Sequence, residues 1–181
     1  MTKAISLASV LTLWGAGLAP GAAAQTVGTP TVDPRWLTAD SASRTASFEL
    51  IAGLTGANGA LNFDGFHDGT LTLGVPVGWT VVLHFRNHDG MLPHSAEVID
   101  DVHPLPTQPV TPAFPRAETL RLVEGLVSEQ TDEVRFIANQ GGSYLIFCGV
   151  PGHGAAGMWI RLVVSASLRN PSLAVAPAAN R

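Results

Sequence analysis

The sequence predicts an all-β domain, a sandwich or barrel, and two observations carry that expectation. Short apolar segments recur at close spacing, with Gly, Asn, Asp or Pro between most of them, which is the punctuation of strands and turns. No stretch after residue 24 sustains a helical apolar period, whereas Thr80–Arg86 alternates: Val81, Leu83 and Phe85 share one face, and Val82, His84 and Arg86 the other. A period of two is the signature of a half-buried strand.

Taken in order, the chain opens with Lys3, an apolar run from Ala4 to Ala19 and the small residues Ala22-Ala23-Ala24 before Gln25. This pattern predicts a secretory signal peptide over 1–24, cut after Ala24. The run is shorter than the roughly 20 residues that a membrane span needs, so the protein is expected to be peripheral to a membrane at most. Residues 25–44 are polar and Pro-bearing and read as an N-terminal arm. Strands are expected at Thr45–Leu54, Leu61–Phe66, Thr70–Val75, Thr80–Arg86, Ser95–Ile99, Thr119–Val123, Glu133–Ala138, Ser143–Cys148 and Met158–Val164, which places the folded domain at 45–165. Residues 166–181 mix Ala, Ser, Asn and Pro without period and read as a flexible tail. One long connection, Asp100 to Arg116, carries prolines at 104, 106, 109, 112 and 115. Its apolar residues, Val102, Leu105, Val110 and Phe114, suggest that it packs over an outer sheet face, since Leu145 and Phe147 are apolar on the face opposite Tyr144, Ile146 and Cys148; a solvated Pro-rich loop is the alternative.

Charge and cysteine content remove several functions. The 181 residues hold 10 Lys and Arg against 14 Asp and Glu, a net charge of −4. Cleavage after Ala24 would remove the one Lys and leave an acidic chain unsuited to nucleic acid. With 1 Cys there is no internal disulfide, and the paired thiols of a zinc ribbon or Fe–S site are missing. A free thiol is a liability in an oxidising compartment, so Cys148 calls for a partner.

That partner is written into Cys148-Gly-Val-Pro-Gly-His153-Gly-Ala-Ala-Gly-Met158, which sets a thiol, an imidazole and a thioether at equal intervals on a Gly/Pro-rich loop. Two His, one Cys and a weak axial Met make a type 1 copper centre, because soft sulfur suits Cu(I) and imidazole suits both oxidation states. The missing imidazole is expected from His94, in Met91-Leu92-Pro93-His94-Ser95, at a strand start behind water-excluding apolar residues. His67, His84, His88 and His103 lie in turns, on a solvent face or in the Pro-rich segment, and read as surface histidines.

The same residues carry a family resemblance. Leu61-Asn62-Phe63-Asp64-Gly65, Gly69-Thr70-Leu71-Thr72-Leu73, Val75-Pro76-Val77-Gly78-Trp79, Leu92-Pro93-His94-Ser95 and, above all, Phe147-Cys148 through Met158-Trp159 resemble the sulfocyanin group of the cupredoxins over Ala46 to Val164. The resemblance implies a cupredoxin-like Greek-key β-sandwich with one copper ion at one end. It makes His94 the first ligand, Cys148 the thiolate, His153 the second imidazole and Met158 the axial thioether. Rusticyanin shares the spacing of the loop ligands and is the competing label. Many cupredoxins follow the first histidine with Asn, and here it is Ser95, which leaves open what ties the two ligand loops together.

A single-electron carrier cycling Cu(I)/Cu(II) is therefore expected, exported to a periplasmic or extracytoplasmic redox chain. It is expected to be a monomer whose partner is a redox protein such as a c-type cytochrome or a terminal oxidase. The resemblance implies that the edge of His153 reaches the surface, ringed by Met91, Leu92, Pro93, Val150, Pro151, Ala155 and Ala156. A periplasmic copper carrier or storage protein is the alternative, using the same soft ligands but needing to release the metal. Catalysis is not expected, because a second metal cluster with His-x-His patterns is missing from the sequence.

Overall fold

Alternating strands each leave one apolar face to bury, and two sheets bury theirs against one another. The structure, a computed structural model, describes residues 32–176; the expected signal segment lies outside the described residues. Its strands are β1 (Leu37–Asp40), β2 (Thr45–Ala52), β3 (Leu71–Pro76), β4 (Thr80–Asn87), β5 (Glu97–Asp100), β6 (Thr131–Ile137), β7 (Gly142–Phe147), β8 (Trp159–Ser165) and β9 (Ser172–Val175). One sheet runs β1-β2-β4-β6 and the other β5-β7-β8-β3-β9. The pairs β2–β4 and β3–β8 are parallel and the remainder antiparallel. From β2 to β7 each successive strand crosses to the other sheet, whereas β1–β2 and β7–β8–β9 stay within one.

The core is what the alternation predicts. Phe48 and Leu50 of β2, Val81, Leu83 and Phe85 of β4, Leu71 and Leu73 of β3, Ile146 of β7 and Leu162 of β8 are all buried between the sheets. Each such side chain contributes about 1.5–3 kcal/mol through burial. Leu145 and Phe147 instead meet Ile99 and Trp159 on the outer face of the second sheet, and Leu105 from the Pro-rich segment packs against them. Phe114 from the same segment enters the main core, stacked on Phe136 at 5.1 Å and against Tyr144 at 4.7 Å.

Four expectations are corrected. Leu61–Phe66 is a tight turn and not a strand: Phe63 and Phe66 exchange backbone hydrogen bonds of 2.9 and 2.8 Å, and Asp64 and Gly65 both have positive φ, 56° and 82°. Asp-Gly is the sequence signature of that turn. Thr119–Val123 is not a strand either. Thr119 bonds to Ala96, then the chain reverses through Arg121 at φ 54° with Gly125 donating to the Arg121 carbonyl, leaving Leu120 and Val123 exposed. The folded unit also reaches beyond 45–165. Residues of the expected arm form β1 on β2, and residues of the expected tail form β9 on β3. Both are four-residue edge strands, mostly exposed and held by backbone pairing, too short to show the apolar alternation that would mark them.

Candidate metal centre

Two loops meet at one end of the sandwich, residues 88–96 between β4 and β5 and residues 148–158 between β7 and β8. The second is closed by its own backbone. The Cys148 amide donates to the Met158 carbonyl and the Met158 amide to the His153 carbonyl, both at 3.1 Å. The first is held against residues 117–126, where His94 and Leu126 exchange amide bonds of 3.0 and 2.7 Å.

This packing brings His94, Cys148 and His153 together, with one ligand atom from each within 4.8 Å of the others. Cys148 Sγ lies 3.7 Å from His153 Nδ1, and the two imidazole centroids are 5.2 Å apart. His94, Cys148 and Met158 are fully buried, and His153 is half-buried. Met158 ends the same loop, tied to Cys148 and His153 by the backbone bonds just described. The remaining histidines sit elsewhere beside carboxylates: His67 by Asp68, His84 by Glu133, His88 by Glu129 and His103 by Asp101.

The electrostatics suit a cation. Burial pushes the Cys148 thiol up to about 11, against the opposing effect of the Ser95 and Val150 amides. A thiol this reluctant to ionise in isolation loses its proton when a metal takes the proton's place. Burial also lowers the pKa of His94 and of His153, the latter further through its proximity to His94, which keeps both imidazoles neutral and able to donate a lone pair. The Nδ1 atom of His94 is buried without a hydrogen-bond partner, a cost in a finished interior and a natural state for a metal ligand. Two neutral imidazoles and a thiol with an adjacent methionine are the donor set that copper prefers.

Ser95 lies between the loops: its amide acts on the Cys148 thiol, opposing the effect of burial, while its hydroxyl donates to the Leu122 carbonyl at 2.7 Å. Asp89 was not among the expected site residues. It lies in the Asn87-His88-Asp89-Gly90 turn, and its Oδ2 stands 3.1 Å from His94 Nε2. The Asp-Gly pair signalled a turn; nothing in sequence spacing signalled a contact with a ligand.

The chain is similar to known proteins in sequence and in fold. The chain is 28% identical to a sulfocyanin of Sulfolobus acidocaldarius over 138 residues, 72% of this chain and 69% of that protein. Two solved rusticyanin structures, the second from Thiobacillus ferrooxidans, share the fold, with TM-scores of 0.53 and 0.52 at 22% and 24% identity. Each covers 72% of this chain and 88% of the rusticyanin. Residues 35–175 match the sulfocyanin (SoxE) domain, a span that takes in both edge strands as well as the His-Cys-His cluster, and the chain therefore belongs to the sulfocyanin family of blue copper cupredoxins.

Proposed function

We propose that the protein is a single-electron carrier of an extracytoplasmic redox chain, with one type 1 copper ion held by His94, Cys148, His153 and, axially, Met158. The observation that carries this reading is the convergence of two imidazoles and the thiol within 4.8 Å on loops braced by the sandwich. When bound, copper supplies a one-electron couple between Cu(I) and Cu(II).

The residues contribute rigidity. The two oxidation states favour different geometries, so ligands that cannot relax toward either reduce the rearrangement accompanying each transfer. Cys148 is fixed by its amide's bond to the Met158 carbonyl, and His94 by paired backbone bonds to Leu126. Amide donors at the sulfur, together with burial, favour the reduced state.

Half-buried His153 is the proposed point of electron exit. Met91, Leu92, Pro151, Ala155 and Ala156 are exposed around it, an apolar rim suited to brief docking with a redox protein such as a c-type cytochrome or a terminal oxidase. Export rests on the signal-like residues 1–24; among the described residues, no helix is long and apolar enough to cross a membrane.

The test is optical and electrochemical. Added Cu(II) should give an intense thiolate-to-copper band and a reversible one-electron wave, and Cys148→Ser should lose the band because a hydroxyl cannot replace the thiolate. Rapid loss of copper to a mild chelator would assign the protein to copper carriage or storage instead.

A further inference from the structure

A neutral imidazole carries one N–H and one lone pair, and the group that faces each nitrogen decides which is which. At His94 the Nε2 side faces Asp89 Oδ2 at 3.1 Å, and the Nδ1 side has no hydrogen-bond partner. A carboxylate only accepts, so the proton belongs on Nε2 and the free lone pair on Nδ1. The pair is interior: the His94 side chain is 0% exposed and that of Asp89 8%, so water does not substitute for either partner.

The carboxylate is itself held in one orientation. Its Oδ1 accepts from the amides of Met91 at 2.8 Å and Leu92 at 3.2 Å. The Asp89 amide donates to Asn87 Oδ1 at 2.9 Å, and Asn87 Nδ2 donates to the carbonyls of Leu92 and Leu126 at 2.8 Å each. On the remaining side stands Gly53, at φ +65°, where an added Cβ would lie 2.6 Å from the Asp89 Cβ. Only glycine leaves room there. The two amide donors on Oδ1 favour the ionised carboxylate.

We infer that Asp89 is the positioning residue of the metal centre: it holds His94 as the Nε2–H tautomer with Nδ1 presented to copper, and its negative charge favours Cu(II) over Cu(I), lowering the reduction potential. The inference rests on the copper reading above and extends it to a residue outside the ligand set. A carboxylate behind a ligating histidine makes the imidazole a stronger donor.

Asp89→Asn separates this role from closure of the turn. One remaining oxygen cannot both accept from the two amides and accept from His94 Nε2. If it stays on the amides, the new NH2 group faces Nε2 and drives the ring proton to Nδ1, where it opposes metal binding. Asp89→Ser provides a second variant, because its short hydroxyl can cap the turn but does not reach His94.

The experiment uses the full chain, metal-free and loaded with copper. In the metal-free protein, nitrogen NMR of the His94 ring should show the proton on Nε2 and slow to exchange; a proton on Nδ1 overturns the inference whatever the copper result. In the loaded protein, both variants should keep the blue band while binding of Cu(II) relative to Cu(I) falls about tenfold, a rise in potential of about 59 mV for a one-electron couple. Unchanged potentials would reduce Asp89 to a turn residue and overturn the inference. Absence of the blue band in the unmodified protein would instead sink the copper reading, leaving the NMR result to decide the His94–Asp89 contact by itself. Should neither variant fold, the NMR measurement on the unmodified chain decides.

Discussion

The ring of Phe147 fills the space that a side chain at position 154 would need: a Cβ added to Gly154 would stand 2.0 Å from Phe147 Cζ. The residue before the thiol thus packs under the residue after the second imidazole. Gly154→Ala must displace the ring or the loop, at a cost of about 1–3 kcal/mol for overpacking. The expected outcome is a lower thermal midpoint together with a shifted blue band. A full-strength, unshifted band with an unchanged midpoint would show that the loop yields freely.

Met158→Leu removes the thioether and keeps a buried apolar side chain of similar size in a position that is 0% exposed. Stability should change by less than about 1.5 kcal/mol. Copper should remain bound and the reduction potential should rise, read by voltammetry. A fall in potential would argue that Met158 is not the axial ligand.

Glu97 of β5 is 1% exposed, and neither carboxyl oxygen has a hydrogen-bond partner. Burial, with Glu118 nearby, raises its pKa from 4.5 to about 7. The folded protein therefore keeps a proton that the unfolded chain releases. This contribution to stability is complete below pH 4.5 and is lost as pH rises from 4.5 to 7, by up to about 1.4 kcal/mol per pH unit. Glu97→Gln should remove that slope and raise stability at pH 8, measured as thermal midpoint against pH. Comparing the two proteins isolates Glu97 from His94 and His153, whose lowered pKa values tilt the curve the other way. Parallel curves for both proteins would place the Glu97 carboxyl in water.

Leu92 is 38% exposed and Met91 91% exposed beside the metal centre. A charge there penalises an apolar contact without touching a ligand atom. Leu92→Glu should slow electron transfer to a c-type cytochrome, followed by stopped flow, and leave the blue absorption intact. Loss of the colour would assign Leu92 to the structure of the site.

Much of the site was legible because metal ligands are few in kind and their spacing on a loop is constrained. Cys148, His153 and Met158 stood out by residue type, and His94 by its apolar, Pro-bearing neighbours. The core strands were legible wherever one face was buried, as in Thr80–Asn87. Edge strands β1 and β9 were not, since backbone pairing at a sheet edge asks little of side chains. Phe63 and Phe66 misled for the opposite reason: they are buried, but they flank a turn.

By itself the sequence determined the all-β class and the family and singled out the candidate donors, because these depend on residue type, alternation and local spacing. Only the tertiary structure decided which groups stand behind the ligands. Asp89 reaches His94 Nε2 because Gly53 leaves room on one side and two amides fix the carboxylate on another. Ser95 reaches the Leu122 carbonyl because residues 94–96 are pinned to the chain at 119–126. Such contacts require distance, direction and exclusion of water at once, and those conditions exist only after the sheets have closed.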